Sequence, residues 1–147
     1  MAAYTVRLAS WHKDSSALKL VREAVFIREQ GISVELEWDT LDAECIHVLA
    51  ADAMLHPIGT ARLLPDGTIG RMAVLKEWRR QGVGSALMEK LLDEAKDRQV
   101  RQVTLNAQVY VTAFYRKSGF QAVGEEFMEA GISHVRMAYR PYDRQIE

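Results

Sequence analysis

The order of hydrophobic patterns predicts an α+β fold built on a mixed sheet: an antiparallel meander that leads into a parallel β-α-β pair. Three observations carry that expectation. Residues 45–52 and 58–64 are apolar runs of strand length, and a tight-turn signal joins the second run to a third at 68–74. A strongly amphipathic helical stripe follows over 82–99, and then a further strand over 101–107. Strand, helix and strand in that order within one sheet imply a right-handed crossover and local parallel pairing. At 147 residues the chain has the length of one ordinary domain, so 1–147 reads as a single unit.

Each element has a local reason. Tyr4 to Ala9 alternates large and polar side chains, which is the period of a strand. Asp14 or Ser15 can cap a helix running to about Gln30, with Leu18, Val21 and Val25 on one stripe. Residues 31–44 are acidic and without period, so they read as a loop containing at most a helical turn. Pro65-Asp66-Gly67 presets a tight turn through proline's fixed φ, a local aspartate bond and glycine's tolerance of positive φ. In the long helix Val83, Leu87, Leu91 and Ala95 recur at i+4, while Glu89, Lys90, Asp93, Glu94, Lys96 and Asp97 take the other face. A short helix is expected at 111–117, ended by Gly119-Phe120, and two strands at 121–123 and 132–139 complete the order.

Composition narrows the function classes. Nineteen basic residues stand against twenty acidic ones, a formal net charge of −1, so nucleic acid is not the expected partner. One cysteine, Cys45, closes no intramolecular disulfide, and no stretch approaches the length of a membrane span. A cytoplasmic chain without membrane or nucleic-acid partners is the expectation. The four histidines and Cys45 show no metal-ligand spacing, so no metal is expected.

The most informative stretch runs from Met72 to Ser85. An apolar strand enters a polar corner, and Gly82 and Gly84 then open the long helix. The first N–H groups of a helix lack internal partners and carry the positive end of its dipole, so this corner reads as an anion site, the alternative being a glycine-permitted turn with solvated basic residues. Arg79 and Arg80 stand beside it, and Lys76 is close in sequence. The Lys-Ser/Thr of a Walker loop and the third glycine of a dinucleotide fingerprint are both absent.

Arg79-Arg80-Gln81-Gly82-Val83-Gly84 resembles the Gln/Arg-x-x-Gly-x-Gly/Ala motif of the GNAT superfamily of N-acetyltransferases. Phe114-Tyr115-Arg116-Lys117-Ser118-Gly119-Phe120 is similar to that family's Tyr-x-x-x-Gly-Phe segment. The run 22–30, then Glu37, Asp39, Asp42 and His47, and the close at 131–137 look like the small bacterial ElaA-type branch. The resemblance implies acetyl-CoA as co-substrate. It also implies a pyrophosphate held by backbone amides at Gly82, Val83, Gly84 and Ser85, with Arg79, Arg80 and Gln81 around them. Met72, Ala73 and Val74 would match the strand that pairs with the pantetheine arm. Lys76 departs from a frequent proline and Arg80 from a frequent glycine, and neither change removes a backbone donor. Gln108 stands where many members have an asparagine on the cofactor.

Acetyl transfer requires a deprotonated amine, a polarised thioester carbonyl and a proton for the leaving thiolate. A backbone N–H near Val74 can meet the second need. Tyr115, at the position where the family often carries a tyrosine, is the candidate acid, and a core tyrosine is the alternative. His134 has a suitable intrinsic pKa for the base, or it merely orders its strand. Glu37 and Asp39 can bind a cationic small-molecule or peptide amine, or hold the loop. Asp42 and His47 read as structural, and Arg71 binds substrate or braces the acidic loop. Two other functions remain open: an acyl-homoserine lactone synthase-like enzyme with another acyl donor, and a silent CoA-binding regulatory domain. An exposed terminal strand is compatible with a homodimer.

Overall fold

Strand β1 (Tyr4–Ala9) is followed by helix α1 (Trp11–Arg22), which continues without a break as a π-helical segment, Glu23–Glu29. Strands β2 (Ile46–Asp52), β3 (Pro57–Leu63) and β4 (Ile69–Val74) then form the meander. Helix α2 (Val83–Asp97), strand β5 (Val103–Gln108), the short helix α3 (Thr112–Lys117) and strands β6 (Gln121–Glu129) and β7 (Ile132–Tyr139) complete the order. The structure is a computed structural model that describes residues 3–32 and 40–140. Glu37 and Asp39, two of the residues expected to meet the acceptor, lie outside the described residues.

The strands make two antiparallel sheets, ordered β1-β2-β3-β4 and β5-β7-β6. They touch at one parallel bridge, Thr68 with Thr104, where the Thr104 N–H donates to the Gly67 carbonyl at 2.9 Å. The expected parallel pairing of β4 with β5 is thus confined to its root. The reason lies in β4: Arg62 pairs with Gly70 and Thr60 with Ala73, so Ala61 alone faces both Arg71 and Met72. The extra residue is a bulge, with Arg71 in the left-handed region at φ 51°. A bulge bends its strand and increases its twist, which turns the rest of β4 away from β5 and leaves one edge of β4 without a strand partner among the described residues.

Helix α2 packs the stripe Val83, Leu87, Met88, Leu91 and Ala95 onto a core that includes Ile58, Leu63, Leu105, Phe120 and Met137. Each larger side chain contributes about 1.5–3 kcal/mol through burial. Val21 and Val25 pack on Ala73 in a second apolar cluster. Covered by both clusters, β2 and β3 bury nearly every residue, which is why they read as unbroken apolar runs rather than alternating ones. Strand β6 is exposed along its whole length at the outside of its sheet, and Glu125, Glu126 and Glu129 discourage edge pairing there. Among the described residues no helix is long and apolar enough to cross a membrane.

The first helix starts earlier than expected. Ser10 is extended and serves as the N-cap, so neither Asp14 nor Ser15 does. The Asp14 carboxylate reaches back one turn to accept the Ser10 N–H at 2.9 Å, and it also pairs with Arg7 at 2.8 Å. A carboxylate inside the first turn thus does the work expected of a cap side chain.

A buried polar cluster ties the acidic connection to the sheet. Asp42 Oδ1 accepts from Arg22 Nη1 at 2.9 Å and from Arg62 Nη1 at 2.8 Å, and Oδ2 accepts from Arg22 Nη2 at 3.2 Å. His47 Nε2–H donates to the Asp42 carbonyl at 2.8 Å, and its ring stacks on Trp11 at 5.3 Å. Burial holds the His47 pKa below the ordinary histidine value, and the nearby Asp42 only partly opposes it. The unfolded chain therefore takes up a proton at this residue before the folded one does. Stability from this source is complete above about pH 6.5 and falls as the pH drops from there toward the folded pKa. Urea midpoints are expected to decline between pH 7 and pH 5, a window above most carboxylate titrations, and to decline less in His47→Gln. An identical slope in that variant would assign the decline elsewhere.

Candidate functional site

The corner between β4 and α2 is built from backbone. Residues 76–78 form a single 3₁₀ turn, after which Arg80 adopts φ 63° and Gly82 φ 86°. Gly82 is the N-cap of α2 in the left-handed conformation, and no side chain caps the helix. The N–H groups of Val83, Gly84 and Ser85 therefore have no intrahelical acceptor and face the corner. Gly82 is required by its φ, and a side chain there would also meet the Tyr4 hydroxyl at 3.3 Å. Gly84 is required by close approach: a Cβ would lie 3.3 Å from Phe114 of α3 and 3.9 Å from Val74 of β4. Three elements thus converge on a helix terminus that no side chain caps. Arg80 is exposed beside it, and the Gln81 side-chain amide donates to the Glu77 carbonyl at 3.0 Å.

Strand β4 leads into this corner with its free edge outward. The Leu75 N–H bonds the Ile58 carbonyl at 2.9 Å, so the alternation along the strand points the Val74 peptide groups away from β3. They face the opening between β4 and β5. Ala73 pairs toward β3, is buried and packs on the π-helical segment through Val25; Met72 and Val74 are half-buried.

Arg79 was expected to assist phosphate binding through its charge. In the structure its Nη1 and Nη2 donate to the two carboxylate oxygens of Glu29 at 2.7 and 2.6 Å, and its Nε donates to the Val74 carbonyl at 3.0 Å. The Glu29 hydrogen bonds raise the Arg79 pKa, and the same bonds depress that of Glu29. A cleft of about 260 Å³ lies beside this pair, lined by Val25, Arg28, Glu29, Leu75, Lys76 and Glu77. No motif spacing in the sequence singles out Glu29. The available signal was its place at the end of an apolar helical stripe, where a side chain leaves the core.

On the other side of the opening, Gln108 ends β5 and lies in register with His134 of β7, which in turn faces Phe127 of β6. His134 is buried, and its Nδ1–H donates to the Ile132 carbonyl at 2.8 Å. In the neutral ring the lone pair is therefore on Nε2, 3.6 Å from the Glu129 carboxylate. Tyr115, on α3, lies edge-on to Phe114 and Phe120 at 5.1 and 6.1 Å. Its phenol has no hydrogen-bond partner among the described residues, and burial pushes its pKa up. Arg71 occupies the bulge itself. The structure thus gathers Met72–Val74 and residues 79–85 on one wall and Gln108 and His134 on the other. Asp42 and His47 belong to the structural cluster. Among the described residues no group of three or more His, Cys, Asp or Glu side chains is placed to hold a metal ion.

A bulged strand splayed from its parallel neighbour, followed by a helix whose N-terminus is left to backbone donors, defines a transferase of the acyl-CoA N-acyltransferase fold. The model of the acetyltransferase (GNAT) domain matches residues 19–141, and the chain belongs to that family. The uncharacterized N-acetyltransferase YjcF of Bacillus subtilis is 39% identical over 121 residues, 80% of this chain and 86% of that one. ElaA of Escherichia coli has a similar structure, with TM-score 0.82 and 28% identity over 92% of this chain and 99% of that one. So has an acyl-CoA N-acyltransferase of Pseudomonas aeruginosa, with TM-score 0.80 and 30% identity over 92% of this chain and 99% of that one.

Proposed function

We propose that this chain moves an acetyl group from acetyl-CoA directly to a primary amine, with both substrates held together in the opening between β4 and β5. One observation carries the reading: the edge of β4 left without a strand partner among the described residues runs straight into the N-terminus of α2, which no side chain caps. An extended amide-bearing chain can pair along the first, and a pyrophosphate can sit on the second. The N–H groups of Val83, Gly84 and Ser85 would hold the pyrophosphate, with Arg80 adjacent. Met72–Val74 would hold the pantetheine arm, and Gln108 would approach from the facing wall. Bound there, acetyl-CoA supplies an acyl group activated as a thioester.

The chain's own residues supply the rest. The Val74 N–H, free of sheet pairing, is a fixed donor for charge developing on a carbonyl oxygen. Tyr115 carries a phenolic proton that is in place at neutral pH, burial moving its ionisation still further up, and that proton is suited to a departing thiolate. His134 presents Nε2 as the atom that can take the amine's proton, and Glu129 steadies the charged ring that results. Glu37, Asp39 and Arg71 are assigned to the acceptor side.

Ser85→Asp separates binding from folding. Ser85 is exposed in the first turn of α2, where a new carboxylate favours the helix by about 0.3–1 kcal/mol. The same charge repels a pyrophosphate. Calorimetric titration with coenzyme A is expected to show affinity reduced by about tenfold, equivalent to about 1.4 kcal/mol, in a protein that melts no lower than wild type. Unchanged affinity would remove the pyrophosphate from this corner. A thiol-release screen across primary amines tests the chemistry, and tight binding without turnover on any amine would favour the silent binding domain.

A further inference from the structure

The Glu29–Arg79 pair joins two elements that the reaction uses separately. Glu29 closes the π-helical segment and lines the 260 Å³ cleft. Arg79 lies three residues before the N-cap of α2 and also holds the Val74 carbonyl. The two parallel bonds, at 2.7 and 2.6 Å, use the same fork that arginine presents to a phosphate. Both side chains are more than a third exposed, at 38% for Arg79 and 37% for Glu29, so packing does not hold the pair closed. Bonded to Glu29 on one side and to the Val74 carbonyl on the other, Arg79 stands where β4 meets the corner before α2.

We infer that Glu29 is an internal stand-in for a cofactor phosphate on Arg79, and that cofactor binding releases this carboxylate into the 260 Å³ cleft beside it, which then serves as the entry for the acceptor amine to the opening between β4 and β5. The inference rests on the pyrophosphate reading of the α2 N-terminus. A diphosphate brings more negative charge to the guanidinium than one carboxylate does, and exchange on an exposed pair meets little resistance. Once released, Glu29 does not gain Arg28 as a free partner, because Arg28 is bonded to Glu23 at 2.8 Å. The charge of Lys76 helps to keep the carboxylate ionised. It then faces a cleft lined by Val25 and Leu75 and by the charges of Arg28, Lys76 and Glu77, where Glu29 and Glu77 together supply the counter-charge that an amine arriving as a cation needs beside Lys76. The acceptor class that follows is a cationic amine with an apolar stem.

Glu29→Gln in the full chain keeps the size of the side chain and removes the competing charge. Titration with coenzyme A is expected to show binding about two- to fivefold tighter than wild type, the fold-change corresponding to an exposed ion pair. In an Arg79→Gln background the same substitution is expected to change nothing. With a turnover substrate from the amine screen, Glu29→Gln is expected to raise the amine KM by about tenfold while kcat stays within about twofold, the signature of lost binding rather than lost chemistry. Unchanged or weaker coenzyme A binding in Glu29→Gln overturns the hand-over, as does a gain that persists without Arg79. If Ser85→Asp weakens coenzyme A binding while Glu29→Gln leaves it alone, the site stands and the hand-over falls. If the wild type binds no coenzyme A, both fall.

Discussion

Asp42→Asn is expected to lower the unfolding free energy by about 3–5 kcal/mol. The carboxylate is buried between the guanidiniums of Arg22 and Arg62, and its two oxygens accept three hydrogen bonds from them. An amide of the same shape presents an NH₂ group where one of those bonds ends, and it removes the negative charge that both arginines share. Water cannot replace that charge, because Arg22, Arg62 and His47 are buried around it. At about 2–4 °C per kcal/mol for a chain of this size, the melting temperature should fall by about 10 °C. Asp14→Asn is the control, since its partner Arg7 has a 54% exposed side chain and such pairs contribute about 0–1 kcal/mol. Urea unfolding of both variants decides the matter. A loss at Asp42 no larger than that at Asp14 would mean that the buried cluster does not anchor the connection.

Tyr115→Phe is expected to reduce kcat by about 10²-fold while leaving both stability and coenzyme A affinity near wild type. The phenyl ring keeps its edge contacts with Phe114 and Phe120. Nothing among the described residues bonds the hydroxyl, so its removal leaves no partner stranded, unlike the removal of Asp42. The raised pKa also implies that no alkaline limb from this phenol intrudes on the neutral range. Unfolding curves and single-turnover rates on one preparation separate chemistry from scaffold. Normal turnover in the variant would return Tyr115 to a core tyrosine.

The legible parts of the fold were those whose signal is local. The i+4 stripe of Val83, Leu87, Leu91 and Ala95 needed only helical geometry, and Pro65-Asp66-Gly67 needed only turn chemistry, which the Thr68 N–H to Asp66 bond at 2.9 Å displays. Gly82 and Gly84 were legible as a corner, although their reasons differ: a left-handed φ for one, the nearness of Phe114 for the other. The conversion of the first helix to π geometry at Glu23 carries no marker in its residue types. The start of that helix was misplaced because Asp14 acts from inside the first turn, and a capping pattern alone does not distinguish the two positions.

The sequence by itself determined the order of elements, the glycine corner that opens α2 and the membership of Asp42 and His47 in the scaffold. These follow from periodicity, from glycine's φ freedom and from residue chemistry, all of which act over a few neighbours. The tertiary structure decided what depends on distant partners. It parted β4 from β5, because the bulge at Arg71 appears only when β3 and β4 are set in register. It joined Arg22, Asp42, His47 and Arg62 into one buried cluster. It also gave Arg79 a carboxylate partner 50 residues away in the chain, which no spacing rule reaches. An unpaired strand edge and a cross-chain ion pair are properties of how surfaces meet, and surfaces meet only once the chain has folded.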